Sequence, residues 1–227
     1  MQTNLNHCRA AQDLLWEFVR AEDIAVALVS EPYDVGSTGW HFDSSGRAAV
    51  GVLRRGLTLD DVETGDGYVA VTVGGAVRVH SCYASPAMSF DEFELFLSRL
   101  EGSVRKYRGA GIDLIVGGDF NARSASWGDR LTDRRGDELS NFAESLGLVA
   151  MNEGREPTFF GRGEGSCVDV TFASESAARR ISGWTVRTDV ENMSDHHHLC
   201  FSYRTGRTPS ANVGGFAAAI GGRPHSG

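Results

Sequence analysis

The stretch that decides the fold is DLIVGGDFNARSASWG, Asp113 to Gly128. Its first half is an apolar run of strand length that ends on Gly117-Gly118-Asp119, with Asn121 two residues further on. A strand serving only the core has no need of a carboxylate and an amide at its tip. The two glycines are expected to let the backbone turn tightly while Asp119 and Asn121 face a reacting group.

Outward from this run, apolar and alternating segments predict a short first strand ending in Thr3 to Asn6 and further strands at 24–30, 47–55, 68–73, 76–83 and 112–119. Four more follow at about 148–152, 167–173, 184–188 and 197–203. Gly74-Gly75 joins two of them as a hairpin turn. Helical spacing places Leu14, Leu15, Phe18 and Val19 on one face of a helix over 8–23. A second helix, Ser89 to Tyr107, opens with a Ser89/Glu92 capping box and buries Phe93, Phe96, Leu97 and Leu100. A third runs from Asp137 to Leu146 and stops at Gly147. Strands in hairpins mixed with strands alternating with helices predict a four-layer α/β sandwich, two mixed sheets face to face with helices outside. A single doubly wound sheet is the alternative. One domain is expected over residues 1–203, and the Gly-, Ser- and Pro-rich residues 204–227 read as a disordered tail.

Composition narrows the function. The formal net charge of −8 argues against a protein that coats nucleic acid, but not against an enzyme with a local basic patch. No apolar run is long enough to cross a bilayer and the N-terminus carries no secretory pattern, so no membrane partner is expected. Cys8, Cys82, Cys167 and Cys200 are too widely spaced for a zinc site and predict buried, reduced thiols in an intracellular protein.

Several predicted strands end in groups with chemical uses: Asn4, Glu31, Tyr83, Asp119 with Asn121, Asp169, and Asp195-His196. Each alone has an ordinary explanation, such as a cap, a turn or a core aromatic with its hydroxyl at the rim. Together they require a long coincidence. Glu31, Asp119 and Asp195 are hard oxygen ligands or bases suited to Mg²⁺. Asp169 paired with His196 would fix the imidazole tautomer and raise its pKa, giving a donor for a phosphate oxygen. That set describes phosphate-ester hydrolysis. His196, His197 and His198 could also form a weak incidental metal chelator. GRGEGS at 161–166 precedes a strand and not a helix, so it is no nucleotide-binding loop, and there is no P-loop lysine motif.

At this point the motifs TNLNH, SEPY, CYASP, GGDFNAR, CVDVTF and SDHH, in that order over residues 3 to 203, resemble the endonuclease/exonuclease/phosphatase superfamily. GGDFNARSASWGD, RRGDELSNF, LVAMNEGREPTFF and VDVTFAS further resemble the apurinic-like endonuclease domain of insect non-long-terminal-repeat retrotransposons that insert into ribosomal DNA or telomeric repeats. The resemblance implies a Mg²⁺-dependent enzyme, with Mn²⁺ able to substitute. It would nick double-stranded DNA and leave a 3′-hydroxyl that primes a reverse transcriptase domain, in the nucleus when acting on chromosomal DNA. It implies metal binding at Glu31 with Asn4, Asn6 and Asp195. It implies Asp119 and Asn121 at the attacking water, Asp169 and His196 as the dyad on the scissile phosphate, and Tyr83 on the phosphate. Thr158 matches a position near the DNA backbone. The segment 160–167 falls where relatives carry a groove-entering hairpin, with Arg162 expected on phosphate or in the minor groove. Arg123, Arg130, Arg134 and Arg135 are further expected backbone contacts. A phosphatase of the same superfamily and a catalytically inactive DNA-binding remnant are the competing readings, and oligomeric state stays open.

Overall fold

A computed structural model describes residues 1–34, 39–161 and 163–205. The first six-stranded sheet has the order β13-β14-β1-β2-β4-β3. Its strands are β1 (Gln2–Asn4), β2 (Val26–Ser30), β3 (Trp40–Phe42), β4 (Ala48–Val52), β13 (Ile181–Arg187) and β14 (His198–Tyr203). The second has the order β5-β6-β7-β8-β12-β9. It contains β5 (Leu59–Thr64), β6 (Tyr68–Val73), β7 (Val77–Tyr83), β8 (Asp113–Asp119), β9 (Leu148–Ala150) and β12 (Asp169–Ser174). A separate hairpin is formed by β10 (Phe159–Gly161) and β11 (Glu164–Ser166). Among the described residues four α-helices complete the fold: α1 (Arg9–Ala21), α2 (Phe90–Tyr107), α3 (Arg134–Ser145) and the single turn α4 (Glu175–Ala178).

The sheets pack face to face, β1 and β2 against β7 and β8 and β4 against β6 and β7. Strand alternation makes this possible. Val77 and Val79 of β7 turn toward the opposite sheet with Leu28, Val50, Val69, Val71 and Ile115. Their neighbour Cys82 turns outward to α2 and α3, among Phe93, Phe96, Leu100, Leu139, Phe120 and Phe172. On the other side Ala11, Leu15, Phe18 and Val19 of α1 cover Ala27, Val29 and Ala49. The result is a four-layer α/β sandwich and excludes a single doubly wound sheet. Among the described residues no helix is long and apolar enough to cross a membrane.

The glycines before Asp119 have a different purpose from the expected tight turn. Both lie inside β8, paired in register with Ser81 and Cys82. A Cβ on Gly117 would sit 2.4 Å from Gln2 Oε1 of the facing sheet, and one on Gly118 would sit 1.9 Å from the Cys82 carbonyl. Gly117 lets the two sheets approach and Gly118 lets β8 lie close against β7 in its own sheet, and Gln2 then donates to the Gly118 and Val170 carbonyls at 3.2 and 3.3 Å.

The capping box of α2 forms as expected, and Gly74-Gly75 turns the β6–β7 hairpin with both φ angles at 60°. α3 begins one turn earlier than its pattern suggests, because Asp133 caps it by accepting from Gly136 N at 2.7 Å. Four strands escaped the pattern. β3, β10 and β11 are three residues each, and β5 is a bulged edge strand carrying Asp60, Asp61 and Glu63. All four cysteines are free, as expected, but only Cys82 and Cys167 are buried. The described chain ends at residue 205, so the expected tail falls almost wholly outside it.

Candidate active site

Sheet register assembles the site. Tyr83 pairs with Asp119 across β7 and β8, and Asp119 pairs with Asp169 across β8 and β12. Three strand tips therefore bring a phenol and two carboxylates to one level on the face between the sheets. From the opposite sheet come Asn4 at the tip of β1, Glu31 just after β2, and Asp195 and His196 just before β14.

His196 Nδ1 lies 2.8 Å from Asp169 Oδ2, and its Nε2 lies 3.9 Å from Asp119 Oδ2 and 4.0 Å from Asp195 Oδ1. Burial alone would lower the imidazole pKa, but the charge and hydrogen bond of Asp169, with Asp119 and Asp195, raise it to about 9. The ring is thus held as a cation with Nδ1–H on Asp169. Burial and the neighbouring Asp169 push Asp119 up to about 7, against the opposing pull of His196, the Asn121 backbone and the Asn4 amide. Asn4 Nδ2 and Asn121 Nδ2 donate to Asp119 Oδ2 at 2.9 and 3.1 Å, and Asn121 N donates to Oδ1 at 2.9 Å.

Glu31 is the centre of a second cluster. Tyr83 donates its hydroxyl to Oε1 at 2.6 Å, and Asn4 Nδ2 bridges to Oε2 at 3.1 Å. Burial and the Glu31 contact hold the Tyr83 phenol well above its ordinary pKa, so it remains a donor. Asn6 donates through Nδ2 to Asp195 Oδ2 at 3.3 Å and through its backbone N to Asn4 Oδ1 at 2.7 Å. Asn4 therefore presents its donor side to the carboxylates and spends its oxygen on Asn6, whereas Glu31 and Asp195 offer the anionic oxygens. Asp195 Oδ1 and Asp169 Oδ1 are buried with no donor among the described residues. Four carboxylates, two of them with orphaned oxygens, fit a hard divalent cation. Asp119, Asp169 and His196 also cluster closely, but the imidazolium has no lone pair to offer an ion and serves there as a donor.

Backbone strain collects here. Asn6, His7, Glu31, Asn121 and Met193 all have φ between 45° and 55°, in a region that side chains disfavour.

The DNA-facing expectations fare less evenly. Thr158, expected near the DNA backbone, is buried at 1% exposed and its hydroxyl is engaged inside the fold. Its Oγ1 accepts from Val168 N at 3.2 Å and Asp169 N at 3.1 Å. Arg123 is committed to Asp129, which also accepts from Cys167 N at 2.7 Å. Arg135 donates to the Ser85 and Met88 carbonyls, and Arg134 lies over the Phe90 ring. Only Arg130 of that group is exposed without a partner among the described residues. The expected hairpin exists as β10–β11, and Arg162 lies outside the described residues. The three consecutive histidines do not chelate together. His197 packs on Phe160, and His198 bonds Thr3 Oγ1 at 2.9 Å.

Sequence reading missed the residues that hold the dyad. Ser194 Oγ accepts from His196 N at 3.2 Å and donates to Asn4 O at 2.8 Å. Asn192 donates to His196 O at 2.6 Å. Asn152 brackets Asp169 by donating to its carbonyl and accepting from Thr171 N. The signal was available in ENMSDHH, where Asn and Ser ahead of a functional histidine are turn-forming types.

A family model described as endonuclease-reverse transcriptase matches residues 77–200. Among solved structures, the endonuclease domain of TRAS1, a telomere-specific non-LTR retrotransposon, is 30% identical with a TM-score of 0.75 over 91% of this chain and 98% of that one. The 3′-5′ exonuclease NExo from Neisseria meningitidis is 18% identical, with a TM-score of 0.70 over 89% and 98% of the two chains. An AP endonuclease from Archaeoglobus fulgidus is 17% identical, with a TM-score of 0.71 over the same shares. No curated protein matches. The family match and the TRAS1 likeness together place the chain in the endonuclease-reverse transcriptase family, within the endonuclease/exonuclease/phosphatase superfamily.

Proposed function

We propose that the chain is a Mg²⁺-dependent DNA endonuclease, accepting Mn²⁺, that nicks one strand of double-stranded DNA and leaves a 3′-hydroxyl for reverse transcription. The observation that carries this reading is the buried Asp119–His196–Asp169 constellation, with a neutral-range carboxyl 3.9 Å from a cationic imidazole. Asp119 orients the attacking water and takes its proton, with Asn4 and Asn121 fixing the carboxylate. His196, oriented by Asp169, donates from Nε2 to a phosphate oxygen as charge develops there. Tyr83 is positioned to do the same from the Glu31 side. A divalent cation held by Glu31 and Asp195, with Asn4 and Asn6 beside them, would neutralise phosphate charge when bound. Water adds to phosphorus, the P–O3′ bond breaks, and the products are a 3′-hydroxyl and a 5′-phosphate.

Residues 1–203 would constitute the catalytic domain. Its partners would be double-stranded DNA and a reverse transcriptase domain that extends the nicked end, which places the action in the nucleus. The β10–β11 hairpin is the proposed groove reader, and exchanging it should move the cleavage sites without abolishing nicking. The test is conversion of supercoiled plasmid to open circles with Mg²⁺, with EDTA, and with Asp119→Ala and His196→Ala proteins. Polymerase extension of the nick then reports the 3′-hydroxyl. A folded protein that leaves the plasmid intact, or nicks that cannot be extended, would refute the proposal.

A further inference from the structure

One group beside Glu31 has no part in the scheme above, the imidazole of His7. Its Nδ1 lies 3.1 Å from the Pro32 carbonyl oxygen. A carbonyl only accepts, so Nδ1 carries the hydrogen. Nε2 is then left facing Glu31 Oε1 at 3.4 Å. The two atoms repel unless positive charge lies between them, either a proton on Nε2 or a cation bound by both.

The backbone enforces the encounter. His7 N donates to the Glu31 carbonyl at 2.9 Å, tying the two segments together. Asn6, His7 and Glu31 all sit at positive φ, 46°, 50° and 48°. The fold sustains such a backbone only where the surroundings over-determine it. The remaining demands on Glu31 are met by donors from the other side, Tyr83 to Oε1 and Asn4 to Oε2. The His7 side chain is 53% exposed, which leaves an approach for an ion from solvent.

We propose that His7 is a nitrogen ligand of the divalent cation at Glu31, making the site a mixed imidazole–carboxylate one; this rests on the metal-dependent reading above. Both ions favour oxygen donors, but Mg²⁺ is the harder, more rigid and more reluctantly dehydrated of the two, so a nitrogen ligand disfavours it more than it disfavours Mn²⁺. His7 therefore biases the site toward Mn²⁺.

The experiment is Mn²⁺ binding followed by electron paramagnetic resonance, with electron spin-echo modulation to detect directly bound nitrogen. It uses the wild-type chain and its His7→Ala, His196→Ala and Glu31→Gln variants. His7 is on the surface, so its removal leaves the core intact. The expected result is nitrogen modulation in wild type that persists in His196→Ala and vanishes in His7→Ala, with Mn²⁺ affinity about tenfold weaker and Mg²⁺ affinity changed less. Modulation that survives in His7→Ala, or that is missing from wild type while Mn²⁺ binds, overturns the assignment and leaves the metal site standing. His7 is then a proton-bearing partner of Glu31. A wild-type chain that binds no Mn²⁺ overturns both readings together.

Discussion

Replacing Thr158 by valine keeps the shape of the side chain and removes one oxygen. That oxygen accepts two buried hydrogen bonds, from Val168 N at 3.2 Å and from Asp169 N at 3.1 Å. Valine leaves both N–H groups without a partner at a residue 1% exposed. An orphaned buried donor costs about 1–3 kcal/mol, and because one oxygen serves both, about 3 kcal/mol is expected in total. For a chain of this size that corresponds to a fall in Tm of about 6–12 °C. Urea denaturation with an unchanged m-value measures the free energy directly.

The activity readout separates two roles for the same residue. Freed from its clamp, the Asp169 backbone shifts, and His196 shifts with the carboxylate that holds it at 2.8 Å. Plasmid nicking should then lose about tenfold or more in kcat with little change in KM, because about 1.4 kcal/mol of misplacement is already tenfold. Thr158→Ser restores both properties. A stable Thr158→Val protein whose KM for DNA rises while kcat holds would refute the reasoning and return Thr158 to the DNA backbone.

Asp169→Asn removes the charge that raises His196, so nicking at neutral pH should fall about 10²–10⁴-fold in kcat while DNA binding is kept, as gel shift and initial rates would show. Burial, aided by the nearby Arg78 charge, lowers His80 to about 3, and burial with His197 and Arg187 lowers His198 to about 4. The unfolded chain takes up these protons from about pH 6.5 downward while the folded chain does not. In EDTA, stability should therefore fall by roughly 2 kcal/mol per histidine between pH 6.5 and 5, and urea midpoints that are flat across this range would contradict it. Gly118→Ala puts a Cβ against the Cys82 carbonyl and should cost on the order of 3 kcal/mol, read as loss of soluble protein or a lowered Tm. Arg130→Ala should make the salt dependence of DNA binding shallower by about one unit of log–log slope, whereas Arg135→Ala should act through stability instead.

Much of the site was legible because its residues are chemically improbable where they stand. Asp119, Asp169 and Glu31 end apolar strands, and an apolar strand carries no ordinary reason for a carboxylate at its tip. The two-sheet architecture was legible from hairpins interleaved with helices. What escaped has a physical cause in each case. β3, β10 and β11 are too short to show a period, and β5 is an edge strand whose acids break its alternation. The interior roles of Thr158, Arg123 and Arg135 depend on tertiary partners 10, 6 and 50 residues away, which no local pattern announces. Arginine is the same letter on a DNA-facing rim and under a carbonyl pair.

That reassignment changes where DNA affinity must come from. Of the arginines expected around the site, Arg123 is neutralised by Asp129, Arg135 is spent on carbonyls, and Arg134 lies on an aromatic ring. The chain as a whole carries −8, and the site itself gathers four carboxylates. A phosphodiester backbone would meet repulsion there unless positive charge arrives with it or sits in the floor. His196 supplies one fixed positive charge, held by Asp169 at 2.8 Å. The rest of the required charge fits a divalent ion among Glu31 and Asp195, whose Oδ1 has no hydrogen-bond donor among the described residues. Metal and DNA would then be mutually dependent ligands, each relieving a field the other cannot tolerate alone. Binding to DNA should on this account be weak in EDTA even for a variant that cannot cut, and it should strengthen when Asp195→Asn removes one of the repelling charges.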